Sequence, residues 1–511
     1  MVSSLTFQES HEFFKSSSYT CPTLTYTGGV ERPVSNQKWQ IICTLLCTFV
    51  AAVIRFSRLG VINKLVFDET YYVKDAYSLM HLGYEGKWGQ NKDFLFNSGD
   101  FSALSPSPAF VVHPPLGKYL IGIGGNLFGW DSPFGWRFMA ALFGTLLVLL
   151  TCVIAGRLFA SVPTTALAGS FVAFDGVAVS LSRTSLLDVF LAVFVLAAFL
   201  AVVLDFQHNA HRILALAVES PFEGIFFRPY LICAGLACGA ACAVKWSGIW
   251  VLACLGMGVF AYEVALRLRV RQSATSVAGA VTAGGIPAFV QLVPVAFVVY
   301  MASWANWFFG AGGWNSHAKG NKLQNWLSYQ SQVYDFHVGL TKSHVYQANA
   351  LQWIFDLRPT SFAYQKPYGG EGDYLVRAVL AMGNPALWWI GLVALVWLVY
   401  AAVRYRRFSY ALVLLGYVST WVPWFLYWHR TIFMFYTVVL VPFISLAVAA
   451  FIRFLWRAGT RSSLVGLVSK TLAAMAVAAI SACGLFFLPL ATGMLIPHSH
   501  WQMRMWLQSW I

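Results

Sequence analysis

Charge is what this 511-residue chain has least of: Asp, Glu, Lys and Arg together make up 11% of it, against about 25% in an ordinary soluble domain. That shortage excludes a water-solvated globule of this length. Neither of the two long polar stretches, 59–134 and 303–375, contains a cysteine, and no C-x-x-C spacing occurs. A disulfide framework in those stretches and a cysteine zinc site are therefore excluded. Walker-type Gly loops, H-E-x-x-H and G-x-S-x-G are absent too, which removes the usual carriers of nucleotide, zinc-peptidase and serine-hydrolase chemistry. No His cluster has metal-ligand spacing and no cofactor is expected, while an acidic pair such as Asp68–Glu69 is able to hold a divalent ion beside a phosphate. The chain has no internal repeat, and thus lacks the inverted-repeat signature of secondary transporters. The first 38 residues carry mixed charge and no apolar core. They read as a cytoplasmic tail rather than a cleaved secretory signal.

What remains is apolar. The chain is 58% hydrophobic with a mean hydropathy of +0.64, and its apolar residues come in long runs without period-2 alternation. A hydrocarbon core of about 30 Å needs about 20 apolar residues in a helix, and only helices or closed barrels satisfy the backbone in lipid. The expectation is an all-α polytopic membrane protein with about eleven spans, at 39–58, 135–159, 163–182, 185–205, 229–245, 246–266, 276–302, 376–402, 409–428, 431–455 and 464–490. Two depart from a simple span: 229–245 is short and Gly-rich, and 163–182 contains Asp175.

A net charge of +14 would suggest nucleic acid in a soluble protein. Here the arginines gather in short loops on one side: Arg157, Arg212, Arg228, Arg267, Arg269, Arg271, Arg404, Arg406, Arg407, Arg457 and Arg461. The opposite short connections carry only Arg183, Lys245 and Arg430. The positive-inside rule then puts the N-terminus inside and the C-terminus outside, with no nucleic-acid partner. The layout is a cytoplasmic tail (1–38), a membrane domain (39–490) with two outer loops (59–134 and 303–375), and an outer tail (491–511).

The first outer loop holds "LVFDETYYVKDAYSLMHLG", Leu65 to Gly83. Val73, Ala76, Tyr77 and Met80 form a helical stripe, and Asp68 and Glu69 stand at its start. Acids at a helix N-terminus are ordinarily dipole partners. This pair follows a span by about ten residues and sits behind Val66 and Phe67, held against protein or lipid. A carboxylate so placed has a raised pKa and suits general-base work. Adjacency does not say which of the two is the base; Asp68 is preferred. Cations stand at the outer ends of the spans: Arg55, His113, Lys118, Arg137, Arg183, Lys245, His429 and Arg430. Singly, each reads as snorkelling. Together, beside an acidic pair, they suit an anionic lipid head group. Asp188 reads as a local ion-pair partner of Arg183. Pro385 in "MGNPALWW" reads as a kink, with Asn384 available to line a lipid groove, and Asp175 and Glu263 receive no role. The second outer loop is rich in Trp, Tyr, Asn and Gln, which suits amphipathic interfacial helices and contacts to sugar or peptide.

In this order, "VFDETYY", "HPPLGKYL", "GWRFMAALFG", "SRTSLLD", "AVKWSG", "MGNPALWW" and "WHRTIFMFYTVVLVPF" resemble the protein O-mannosyltransferases from about Arg55 to Pro442. The likeness is nearest to the actinobacterial members, because the second outer loop has no room for the β-trefoil domain of the eukaryotic ones. The resemblance implies a GT-C glycosyltransferase fold, a polyprenyl-phosphate-mannose donor and Ser or Thr acceptors in exported polypeptides. It maps the family's acidic pair onto Asp68 and Glu69 and its lipid-phosphate arginine onto Arg137. Its arginine at the end of the first span falls on Arg55, and its His-Pro-Pro-Leu-Gly-Lys stretch on His113 to Lys118. The pattern around His429 and Arg430 departs from the eukaryotic one. A lipid phosphate leaves without a proton, so one base suffices: Asp68 takes the acceptor proton, Glu69 orients acceptor or sugar, and cations hold the phosphate, with inversion. A cell-membrane site facing outward, acting on newly exported chains, also suits partnership with a secretion channel. The alternative is a GT-C transferase passing a lipid-linked sugar to a glycan or lipid. A transporter fits poorly, since the ionisable residues gather at outer span ends.

Overall fold

The computed structural model describes residues 34–90, 92–368, 374–459 and 464–511. The expected tail lies outside the described residues as far as residue 33, as does Arg461. The chain begins with α1 (Val34–Phe56) and leaves the bundle for a first excursion: α2 (Glu69–Leu82), β1 (Gly86–Trp88), α3 (Asp93–Asn97), β2 (Leu104–Pro108) and α4 (Leu116–Phe128). It returns through α5 (Pro133–Phe159), α6 (Val162–Phe174), α7 (Gly176–Leu181), α8 (Asp188–Glu219), α9 (Pro229–Val244) and α10 (Gly248–Val270). Then come α11 (Ala274–Gly279) and α12 (Ile286–Ser303), joined by a π-helical stretch at Ala280–Gly285. A second excursion holds α13 (Ala305–Phe309), α14 (Lys322–Gly339), α15 (Ala350–Ile354), β3 (Thr360–Gln365) and β4 (Leu375–Ala381). The bundle is completed by α16 (Pro385–Tyr405), α17 (Phe408–Trp421), α18 (Val441–Ala458) and α19 (Leu464–Thr492), and β5 (Leu495–Pro497) and α20 (His498–Gln502) follow.

Among the described residues, nine helical segments are long and apolar enough to cross a membrane. Two shorter apolar helices, α6 and α9, fall on the two runs that departed from a simple span. Each differs from the long helices for a local reason. Helix α6 stops because Asp175 turns to cap α7, accepting from the Ala178 N–H at 3.0 Å; it also accepts from the Asn384 N–H (2.9 Å) and Trp388 Nε1 (3.1 Å). Helix α9 carries Gly235 and Gly239 against α12. A Cβ on either would lie 2.5 Å from the carbonyl oxygens of Gln291 and Ala296, so only glycine admits this approach of two backbones. The bundle is built around α8, of whose most apolar stretch 78% is buried, against 22% for α1 and α19, whose apolar faces are left for lipid.

At the end of the bundle away from the two excursions, buried Arg228 pairs with Asp205 and Glu263, and Arg267 pairs with Glu263 at 2.9 Å. Glu263 therefore has a structural partner set that its sequence context did not reveal.

Three expectations need correction. The run 376–402 does not begin as a helix: its first residues are β4, paired antiparallel with β3 and β5. Val376, Ala378 and Leu380 turn one face onto Phe487, Leu490, Ile496 and Trp510; hydropathy alone does not separate such a strand from a helix. Pro385 makes no kink, because it stands at the first position of α16, where its missing N–H costs nothing. Asn384 lines no groove. It caps α16 through the Leu387 N–H (3.2 Å), donates to the Ile480 carbonyl (2.8 Å) and is buried.

Asp175→Ala would leave three buried donors without an acceptor, at roughly 1–3 kcal/mol each. The expected result is a lowered thermal midpoint in detergent, with Asp175→Asn milder because it keeps an acceptor oxygen. An unchanged midpoint for the alanine variant would contradict this account.

Candidate active site

The acidic pair splits at the start of α2. Phe67 has φ +48°, a left-handed conformation that a bulky residue avoids and that costs on the order of 1–3 kcal/mol. Its ring is packed by His344, Phe362, Phe433 and Phe435, at centroid distances from 5.3 to 6.1 Å. Beyond this turn, the two carboxylates point into different surroundings. Glu69 is fully buried. It accepts from Arg137 Nε at 2.8 Å and Nη2 at 2.7 Å, from the Ser185 N–H at 2.8 Å and from the Val66 N–H at 3.0 Å. Both of its oxygens are thus engaged by the protein itself.

Asp68 occupies the N-cap position of α2, yet its side chain makes no capping bond. Among the described residues its carboxylate accepts no hydrogen bond at all, and it is half-buried rather than sealed. Burial pushes this carboxyl up to about 6, with Lys245 opposing the rise and Asp188 adding to it. The neighbour that raises it is thus Asp188, not Glu69.

Lys245, at the C-cap of α9, donates to both oxygens of Asp188 at 2.9 Å and stands 4.8 Å over the Tyr436 ring. The expected Arg183–Asp188 pair does not form. Arg183 instead donates to the carbonyls of Ile54, Arg55 and Ser57 at 2.8–2.9 Å, and to those of Arg58 and Thr492, so it closes the C-terminal end of α1. Arg55, fully buried, bonds to Ser182 Oγ and to the carbonyls of Ala51, Val172 and Ala173. Arg137 adds the carbonyls of Ile62 and Lys64, both at 2.9 Å, to its bonds with Glu69. All three arginines were expected at a phosphate. Each is turned into protein, because a buried guanidinium must find acceptors for its donors.

Lys118 is also sealed, paired with Glu85 and donating to the His113 carbonyl at 3.0 Å. The ring of His113 lies 5.8 Å from that of Tyr72 and 5.0 Å from that of His337. Burial holds His113 well below its usual range, with Lys245 and His337 acting the same way, so it is neutral. Arg430 has no carboxylate partner among the described residues. Its Nε donates to the His337 carbonyl at 2.9 Å, its Nη2 lies 3.2 Å from His337 Nδ1, and its Cζ is 5.7 Å over the Trp424 ring. His429, beside it, is exposed. The site that the structure assembles is therefore Asp68, His113, Asp188, Lys245 and Arg430, with Tyr72, His337 and Tyr436 around them.

Sequence reasoning missed Tyr72, Asp75 and His337. The first two had a signal: they fall four and seven residues after Asp68, on one face of α2. Burial takes Asp75 up to about 7, where Lys118 opposes and Glu85 assists. His337 had none, since its partners Val112 and Arg430 are far along the chain. A cavity of about 480 Å³ opens between α4 and α12, at Leu116, Tyr119, Val299, Ala302, Ser303, Ala305 and Asn306. It contains none of the ionic cluster.

A family model described as dolichyl-phosphate-mannose-protein mannosyltransferase matches residues 107–308, and one described as the C-terminal four-TMM region of protein-O-mannosyltransferase matches 322–510. The polyprenol-phosphate-mannose–protein mannosyltransferase of Mycobacterium tuberculosis is 32% identical over 501 residues, 92% of this chain and 91% of that one. Its counterpart in Corynebacterium glutamicum is 29% identical over 473 residues, 87% and 88% of the two chains. The S. cerevisiae protein O-mannosyltransferase Pmt1–Pmt2 complex bound to the sugar donor superposes with a TM-score of 0.68 at 14% identity, over 92% of each chain. This gives the expected GT-C fold.

The two carboxylates should separate cleanly on substitution. Breaking one member of a buried pair costs about 3–5 kcal/mol, so Glu69→Ala is expected to lower the thermal midpoint markedly, whereas Asp68→Asn leaves it at the wild-type value. Equal midpoints for the two variants would overturn the division.

Proposed function

Because the chain belongs to the protein O-mannosyltransferase family, we propose that it moves mannose from a polyprenyl-phosphate-mannose donor to Ser and Thr hydroxyls of exported polypeptides, with Asp68 as the base. The observation that carries the assignment is the free carboxylate: Asp68 alone of the acidic pair is half-open and without a protein hydrogen bond. The acceptor hydroxyl attacks the anomeric carbon, Asp68 takes its proton, and the bond from that carbon to the phosphate oxygen breaks. The electron pair leaves with the lipid phosphate. One displacement inverts the anomeric centre.

Glycosidases need a second carboxyl to protonate an alcohol leaving group. A phosphate needs counter-charge instead, and Arg430 and Lys245 supply it beside neutral His113. Glu69, Arg137, Arg55, Arg183 and Lys118 hold these groups in place rather than meeting substrate. The chain is a multi-pass membrane protein; its arginine distribution supports a site on the outer face of the cell membrane, where unfolded exported chains pass and a secretion channel is a natural neighbour. The two long excursions, 59–134 and 303–375, form the roof of that site.

With labelled polyprenyl-phosphate-mannose and a Thr-rich peptide, Asp68→Asn should lower transfer by about 10²–10⁴-fold while inserting and folding normally. Label appearing on a glycan or lipid and none on the peptide would reassign the acceptor. The base must be deprotonated, so kcat/KM for the peptide is expected to be flat above a limb at about pH 6 and to fall below it. Lys245→Met removes the cation that restrains the Asp68 carboxyl, and should move that limb to higher pH. A limb that stays in place in this variant would count against Asp68 as the titrating group.

A further inference from the structure

His337 lies on the last turn of α14, and its imidazole joins three segments. Its Nε2 is 2.7 Å from the Val112 carbonyl oxygen, 225 residues away, and its Nδ1 is 3.2 Å from Nη2 of Arg430, 93 residues away. A carbonyl oxygen only accepts, so Nε2 must carry the proton. Nδ1 is then a bare lone pair, and the guanidinium, which only donates, points into it. Arg430 Nε also donates to the His337 carbonyl at 2.9 Å. One residue thus grips the Nε–Nη2 edge of Arg430. Among the described residues Nη1 has no hydrogen-bond partner and no carboxylate neutralises the group. A second proton on the ring would put an N–H against the guanidinium. Burial and Arg430 hold this imidazole down to about 4, in agreement with the geometry. The same ring lies tilted at 5.0 Å from that of His113, the residue after Val112, and 6.1 Å from Trp246, the residue after Lys245.

We propose that His337 is the positioning residue of the donor's phosphate subsite: as a neutral imidazole it aims Arg430 at the incoming phosphate and fixes the Val112–His113 segment opposite it. This inference rests on the reading of Arg430 and Lys245 as phosphate ligands. On the phosphate side the second excursion then acts through one side chain. It makes no contact with the phosphate itself, yet it sets the direction of the one guanidinium in the cluster that no carboxylate holds.

The experiment measures binding of a short-chain polyprenyl phosphate to the full-length protein in detergent, beside KM for peptide. His337→Phe keeps a ring and loses both bonds; affinity should fall about tenfold, the loss of one to two hydrogen bonds, with peptide KM unmoved. His337→Gln offers an N–H donor and a carbonyl acceptor and should stay near wild type. Arg430→Ala should lose at least as much as His337→Phe, and the double variant no more than Arg430→Ala. If Arg430→Ala and Lys245→Ala weaken binding but His337→Phe does not, the inference is overturned and the phosphate reading stands. If none of them weakens binding, the phosphate reading itself fails. A rise in peptide KM instead, or a glutamine variant as weak as the phenylalanine one, would also overturn the positioning role. Should His337→Phe not fold, His337→Leu carries the same contrast with His337→Gln.

Discussion

The site depends on one buried ion pair, Glu69 with Arg137. Desolvating two charges costs several kcal/mol per ion, and attraction between them repays this only where the remaining donors and acceptors are satisfied. Here they are. The guanidinium meets the carboxylate side-on through two bonds and turns its other donors to the backbone carbonyls that follow α1. The carboxylate takes backbone N–H groups from the entry to α2 and from the loop before α8. A single pair thereby ties the first excursion to α5 and to the start of α8. Asp68 is turned towards Lys245 and Asp188 because its neighbour is tethered inward and Phe67 is held at a positive φ.

That constraint divides the cations into two populations. Arg55, Arg137 and Arg183 bond to carbonyls and to Glu69 at the upper ends of α1, α5 and α7, where helix ends leave acceptors unsatisfied. Lys245 faces the open carboxylate, and Arg430 stands beside His337, on the side of His113. Lys245 is shared with Asp188, and Asp188 in turn helps to raise Asp68. Arg430 is gripped by a neutral imidazole, so its charge is oriented without being cancelled.

The two excursions interlock over the bundle. Tyr329 donates to the Val111 carbonyl at 2.7 Å and His337 to that of Val112, so α14 lies along the extended segment that leads into His113. Phe362, on β3, packs against Phe67. The second excursion therefore braces both Phe67, beside Asp68, and the segment before His113, although the residues that do so read locally as interfacial aromatics.

Composition and hydropathy alone determine that this chain is a helical membrane protein, where its apolar runs lie, and that α6 and α9 are unlike the rest. Lipid allows few backbone solutions, so these properties are local and additive. The motifs also bring the acidic pair and Lys245 into view. Only the tertiary structure separates the surroundings of Asp68 and Glu69: neighbours in sequence differ by about 100° around a helix, so Glu69 faces Arg137, 68 residues on, while Asp68 faces Lys245 and Asp188. The same holds for the arginines: whether a guanidinium serves a phosphate or the protein's own carbonyls depends on which acceptors the fold brings within 3 Å. It holds most for His337, whose role is made entirely by partners distant in the chain.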